Sequence, residues 1–443
     1  MNPQPAAAAQ PPNRRPNKPD TAPTDPAATA AGPTAFIRMA DAGDVYVSWL
    51  WADDALARGV AVLPRDEVRE VLRTLGDAVP DPARPEDLRR VMTEGALVDP
   101  AAESALAQAL SRTLLPYGLA VQLYELSQRG VRPHLRIQPS PRLAQVPWEI
   151  LAPDPEIRLL DIADVSLLAP ASVVRSPERI VHSWNDTRDL PVVAVLDPRV
   201  PGFRADSELG SVLGRPSPES QVAQHFSRYG PRLVPLAADP VELFRRADTD
   251  RDWLSAVLRQ GASRLVYVGH VTAPAPESGQ SEHAELHLSC TADTRGFAAT
   301  NRTHRPLSAK DLLLGTHSLD PSPIPGRDLW PMPSRVALIA CESGGDLRFT
   351  EALGLTTAAM AAGAELVTAT RWPLPTDHAF HTLTPTTTYP LQSAICAVDT
   401  AHDSPTPIPT LLTWQRSRLA AWRDAPIPEN SPLLWAAFAT VTG

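Results

Sequence analysis

Four short apolar segments in the second half of the chain do most to limit what it can fold into. They are Val192–Leu196 (VVAVL), Arg264–His270 (RLVYVGH), Arg335–Cys341 (RVALIAC) and Glu365–Trp372 (ELVTATRW). Each is too short for a helix and rich in β-branched residues, so each reads as a strand. The first three do not alternate polar with apolar residues, which marks strands buried on both faces. Stretches with helical character separate them: Glu219–Tyr229, Val241–Gly261, Ser308–Leu314 and Phe349–Ala362. In the second of these, Leu254, Val257 and Leu258 share one face. Strands alternating with helices predict an α/β fold, a mostly parallel sheet with helices on both faces. No period of 20–50 residues runs through the chain, so a repeat array is not expected.

An α/β addition precedes this core. Ordered structure is expected from about Phe36–Met39, with a strand at Val45–Trp51. Pro64–Gly76 carries Val68, Val71, Leu72 and Leu75 at helical spacing, with Gly76 as the expected C-cap. Ala101–Ser127 is a longer helical region that Pro116 divides. Strands at Leu135–Gln138 and Val165–Leu168 flank the segment LAQVPWEIL. Downstream, Glu285–Cys290 reads as a shorter strand, Pro409–Arg423 as a helix, and Leu433–Thr442 as the closing segment. Residues 1–34 hold nine Pro and nine Ala and almost no large apolar side chain. Such a segment cannot bury enough surface to offset its ordering entropy, so a disordered leader is expected. The expected organisation is a leader over 1–34, an N-terminal helical and strand part over 35–185, and an α/β core over 186–443.

Charge and cysteine content remove several classes. Lys and Arg total 41 against 50 Asp and Glu, a net charge of −9. A general nucleic-acid binder needs a basic surface, so no nucleic-acid partner is expected. Cys290, Cys341 and Cys396 are the three cysteines and are too few for a disulfide framework. A reducing, cytoplasmic location fits. The N-terminus lacks a signal-peptide apolar run, and no stretch reaches the length of a membrane span, so no membrane insertion is expected.

In open α/β sheets, functional groups gather at the carboxyl ends of the strands. Two of the four strands end on reactive side chains: VYVG-His270 and ALIA-Cys341, the latter followed by Glu342, Ser343, Gly344 and Gly345. If the strands are neighbours, imidazole and thiol leave the same rim. A His beside a Cys can serve as its base or hold it as thiolate. The N–H of Cys341 and one near His270 are candidate donors to a developing oxyanion. A lone Cys ending a buried strand is usually a small core residue. It is the pair, in this order, that favours chemistry.

These segments resemble the CHAT domain, a caspase-like group within the wider set of caspase, separase and gingipain cysteine peptidases. In that group one apolar strand ends in a His and a later one ends in Ala-Cys, as Val266–His270 and Leu338–Cys341 do here. Four more segments are similar to the family in the same order: QVPWEIL (Gln145–Leu151), PLSAKDLLL (Pro306–Leu314), GLTTAAMAAGAELVTATRWPLPTD (Gly354–Asp377) and SPLLWAAFATVTG (Ser431–Gly443). The resemblance covers about residues 100–443, without the tetratricopeptide repeats that often accompany such domains. Val271 stands where the family has Gly, and its N–H is the candidate oxyanion donor beside that of Cys341.

The resemblance implies a caspase-like sheet and an endopeptidase working through a thioester. Cys341 would attack the scissile carbonyl; His270 would protonate the leaving amine and then activate water. It implies a protein substrate, an activating partner or regulator, no cofactor, and a role in bacterial signalling or defence. An inactive CHAT-like interaction module and a non-peptidase cysteine hydrolase are the alternatives.

Related enzymes place an acidic group near Asp377 to bind a basic side chain before the scissile bond. By that resemblance Asp377 is a substrate-binding candidate, although an N-cap for the next helix is the plainer reading. Glu342 is a second candidate for the same pocket. His283 and His287 lie about 13 Å apart on a strand, so no metal is expected there with Cys290. Trp148 and Glu149 read as structural.

Overall fold

Among the described residues, fourteen strands divide between one large sheet and a small one. The computed structural model describes Met1 and residues 32–52, 58–81, 84, 86–315, 324–341, 343–350 and 352–443. The expected disordered leader falls almost wholly outside these residues, as does Glu342.

The strands are β1 (Thr34–Ala42), β2 (Asp44–Trp51), β3 (Gly59–Leu63), β4 (His134–Gln138), β5 (Asp164–Leu168), β6 (Val192–Leu196) and β7 (Leu233–Val234). They continue with β8 (Arg264–Val268), β9 (Val271–Thr272), β10 (Glu285–Leu286), β11 (Leu307–Ser308), β12 (Arg335–Ile339), β13 (Leu366–Thr370) and β14 (Phe438–Thr442). The large sheet has 11 strands in the order β3-β2-β1-β4-β5-β14-β13-β12-β8-β6-β7, and β11-β10-β9 form a sheet of 3.

The large sheet is mostly parallel but contains two blocks. Strands β13, β12, β8, β6 and β7 run parallel to one another. Strands β1, β4, β5 and β14 are also mutually parallel. The blocks meet at β13 and β14, which are antiparallel, so they point in opposite directions. Every residue of β6, β8, β12 and β13 is buried, as expected for strands covered on both faces. In β2 burial alternates, leaving one face of the N-terminal block towards solvent.

Several elements differ from the sequence reading. The helix expected over Val241–Gly261 is a short 3-10 turn, Pro240–Leu243, followed after a break by a helix at Arg251–Leu258. Asp250 caps the second helix through a 2.8 Å bond from the Trp253 N–H. Arg245, with φ 53°, lies in the break. Gly76 is inside the first helix, which runs Arg65–Ala78, and does not cap it. The strand expected at Glu285–Cys290 stops at Leu286. The helix expected over Phe349–Ala362 is confined to Leu355–Ala361.

A long helix, Pro390–Asp403, was not expected. It lies across the core, and its buried Asp399 accepts from Arg264 Nε at 2.8 Å. Arg264 and Arg335 are the first residues of β8 and β12. Arg335 donates to the carbonyl oxygen of His402 at 2.6 Å, so both strand starts are tied to this helix. None of the helices among the described residues is long and apolar enough to cross a membrane.

Candidate active site

The parallel register of β8 and β12 pairs Val268 with Ile339. The chain leaves both strands immediately afterwards. The strands are shorter than the apolar segments suggested, and His270 and Cys341 each lie two residues past that pair. The two residues chosen from the sequence therefore lie past the same edge of the sheet, just beyond the ends of neighbouring strands. Both residues are partly accessible, whereas Cys290 and Cys396 are buried.

His270 is held on several sides. Its Nε2 is 3.0 Å from the carbonyl oxygen of Gly210. A carbonyl only accepts, so Nε2 carries the proton and, in the neutral ring, Nδ1 is the basic nitrogen. The His270 carbonyl accepts from the His287 N–H at 3.1 Å and from the Tyr267 hydroxyl at 2.7 Å. Burial pushes the His270 pKa below its ordinary value. The Gly210 carbonyl and the Asp197 carboxylate act in the opposite sense, and Arg245 adds to the lowering. The ring is thus neutral at pH 7. Tyr267 is fully buried and its hydroxyl pKa lies well above 10, chiefly through burial, so it stays a donor.

A glycine matters here, but it precedes the His. A Cβ on Gly269 would sit 2.6 Å from Tyr267 Oη and 3.2 Å from Pro198 Cδ. Val271, where the family has Gly, instead starts β9 and pairs with Leu286 of β10 in extended geometry. His287 N–H donates to the His270 carbonyl, so Val271 and Leu286 face each other as a non-hydrogen-bonded pair. That alternation turns the Val271 N–H away from β10. A β-branched residue carries no strain in this conformation.

The segment after Cys341 is anchored to β13. Ser343 Oγ accepts from the Thr370 N–H at 3.0 Å, and the Gly344 N–H donates to the Thr370 carbonyl at 3.0 Å. These small residues fit against the neighbouring strand end, where a Cβ on Gly344 would lie 3.2 Å from Ala369 Cβ.

Asp377 is buried, and its carboxylate accepts from the N–H groups of Leu391 at 2.8 Å and Gln392 at 3.3 Å. It therefore caps Pro390–Asp403. The helix it opens, Asp377–Leu383, is capped by Thr376, so the simple N-cap expectation is corrected by one residue. Burial raises the Asp377 pKa, and the two backbone donors oppose this.

His287 and Cys290 belong to another arrangement. His287 Nε2 contacts Thr272 Oγ1 at 2.8 Å, and its Nδ1 lies 3.1 Å from His304 Nε2. His304 Nδ1 in turn bonds the Cys290 carbonyl at 2.7 Å. Among the described residues no group of His, Cys, Asp and Glu converges to hold a metal. Glu149 pairs with Arg371 at 3.0 Å, which bears out the structural reading of the PWE block.

Sequence reasoning overlooked Asp197, Gly210, Arg245 and Tyr267. The available signal was Asp197 itself, which directly follows VVAVL and so sits at the carboxyl end of a third strand.

A mostly parallel α/β sheet with a His and a Cys just past the ends of two adjacent strands is the arrangement that the resemblance implied. The CHAT domain family model matches residues 104–443. The chain belongs to the CHAT domain family. No curated protein matches it. Among solved structures it is similar to separase of Saccharomyces cerevisiae in its complex with securin, at 10% sequence identity and a TM-score of 0.43. That similarity covers 93% of this chain and 30% of the separase chain.

Proposed function

We propose that this protein is a cysteine endopeptidase that hydrolyses peptide bonds of a protein substrate, with Cys341 as nucleophile and His270 as base. The observation that carries the proposal is the register. Val268 and Ile339 pair on adjacent parallel strands, and His270 and Cys341 follow each at the same distance. The tautomer of His270 adds to it, because a proton on Nε2 leaves Nδ1 free to take the thiol proton.

In the proposed reaction the thiol proton passes to His270 as sulfur bonds to the scissile carbonyl carbon. The C–N bond then breaks, and the imidazolium returns the proton to the departing amine, leaving a thioester. Water, deprotonated by His270, attacks the thioester, releases the acid and restores the thiol. The Cys341 and Val271 N–H groups are the proposed oxyanion donors. Bacterial signalling or defence is the proposed setting, with a regulator or activating partner.

The test is cleavage of a peptide library by the full chain, by Cys341→Ala and by His270→Ala. Cleavage by the wild type that both substitutions abolish is the expected result. Cleavage that survives Cys341→Ala overturns the assignment.

A further inference from the structure

Asp197 follows β6, the strand next to β8 on the side away from β12. It is buried and has φ 51°, a left-handed conformation uncommon outside glycine. Its backbone N–H donates to the Val268 carbonyl at 2.6 Å, fixing it beside the start of the His270 loop.

Its carboxylate organises the loop that faces His270. Oδ2 accepts from the Ser211 hydroxyl at 2.6 Å and the Leu213 N–H at 3.3 Å. Oδ1 accepts from the Val212 N–H at 3.1 Å and from Arg245 Nη1 at 3.3 Å. The same Arg245 nitrogen donates to the Gly210 carbonyl at 2.9 Å. That carbonyl oxygen is the one that accepts from His270 Nε2. Gly210 itself has no room for a side chain, since a Cβ would lie 2.3 Å from the Ala205 carbonyl oxygen. Backbone and side chain thus converge on one function: to hold a single carbonyl against one imidazole nitrogen. Residues kept in sparsely populated backbone regions often mark such sites. Arg245, the second partner, is also left-handed, with φ 53°.

We infer that Asp197 is a positioning residue, which folds Ser211–Leu213 and Arg245 about its carboxylate so that the Gly210 carbonyl fixes the Nε2–H tautomer of His270. The inference rests on His270 being the base of the proposed peptidase. Asn at this position keeps the size but replaces one acceptor oxygen with a donor. Whichever oxygen it replaces, that donor would meet a backbone N–H, that of Val212 at the Oδ1 position or that of Leu213 at the Oδ2 position, so the Gly210 carbonyl would shift.

The experiment reads the tautomer directly. Long-range 1H–15N correlation spectra of the full chain, labelled with 15N-histidine, are recorded at pH 8 for wild type, Asp197→Asn and Ser211→Ala. The wild type is expected to show His270 protonated on Nε2 alone. Asp197→Asn is expected to show a mixture of tautomers. Where a peptide is cleaved, kcat should fall by roughly 10²-fold with KM little changed, the lower end of what a general base contributes. A pure Nε2–H signal in Asp197→Asn overturns the inference. If that variant does not fold, as judged by the buried His287 and His304 resonances, Ser211→Ala decides. It removes one bond to the carboxylate, and an unchanged tautomer there overturns the inference equally. The spectra do not depend on turnover. An inert wild type with the Nε2–H tautomer counts against the peptidase, while the positioning result stands.

Discussion

The pairing of Glu149 with Arg371 joins the two halves of the chain, and its removal should be costly. Both residues are 3% exposed. Arg371 Nη2 donates to Glu149 Oε1 at 3.0 Å, and Nη1 donates to the carbonyls of Ala436 at 2.7 Å and Phe438 at 3.2 Å. Gln145 of the same PWE segment donates to the Arg371 carbonyl at 2.9 Å. Glu149→Ala leaves a buried guanidinium without its counter-charge, a loss of about 3–5 kcal/mol. Native stabilities are about 5–15 kcal/mol, so this is a large fraction. Glu149 Oε2 and Arg371 Nε lack hydrogen-bond partners among the described residues. The pair is incompletely satisfied, and an apolar replacement of both members should recover most of the loss. Urea unfolding followed by tryptophan fluorescence is the assay; Trp148 lies next to the perturbed site and Trp372 next to Arg371. The midpoint of Glu149→Ala should fall by on the order of 1 M. Glu149→Leu with Arg371→Met should unfold near the wild-type midpoint. A single substitution that costs under about 1 kcal/mol, the scale of an exposed pair, would refute the reasoning. So would a double substitution as costly as the single.

Other outcomes follow from individual contacts. Asp377→Ala should cost about 1 kcal/mol by uncapping Pro390–Asp403 while leaving the residue preference at the cleavage site unaltered, as thermal melts and library profiles would read. Gly269→Ala should destabilise by about 1–3 kcal/mol, because its methyl displaces the Tyr267 hydroxyl; a melt matching wild type would contradict this. His287 and His402 are buried with pKa values pushed down to about 3, chiefly by burial. Both are neutral in the folded chain, while the unfolded chain binds their protons below about 6.5. Stability should therefore be intact above that pH and decline as pH falls towards 3. His402→Gln should flatten this decline in urea titrations across pH.

The sheet core and the adjacent placement of His270 and Cys341 were legible because their signals are local. Four short runs with largely apolar centres read as buried strands, and a His and a Cys at their ends are conspicuous. The two-block reversal at β14 was not legible. SPLLWAAFATVTG looks like a terminal strand whichever way its neighbour runs, and direction depends on a partner 72 residues away in sequence, as for Thr368 and Thr440. Pro390–Asp403 was missed because it emerges from a Thr- and Pro-rich run and its buried side mixes the polar Gln392, Asp399 and His402 with Leu391, Ile395 and Val398. Asp197 was missed because Asp-Pro after a strand reads as an ordinary turn. Its carboxylate gains meaning only when Ser211, Val212, Leu213 and Arg245 fold onto it. The Val241–Gly261 helix failed for the same reason, since Arg245 leaves helical geometry to reach Asp197 and Gly210.

The central claim is that His270 activates Cys341 towards an acyl carbon. Mass spectrometry of the full chain after reaction with a library of peptidyl acyloxymethyl ketones tests it most directly. The label should map to Cys341, and not to the buried Cys290 or Cys396, and should be lost or slowed roughly 10²-fold in His270→Ala. Labelling of Cys341 at an equal rate without His270, or of another cysteine in its place, would contradict the account.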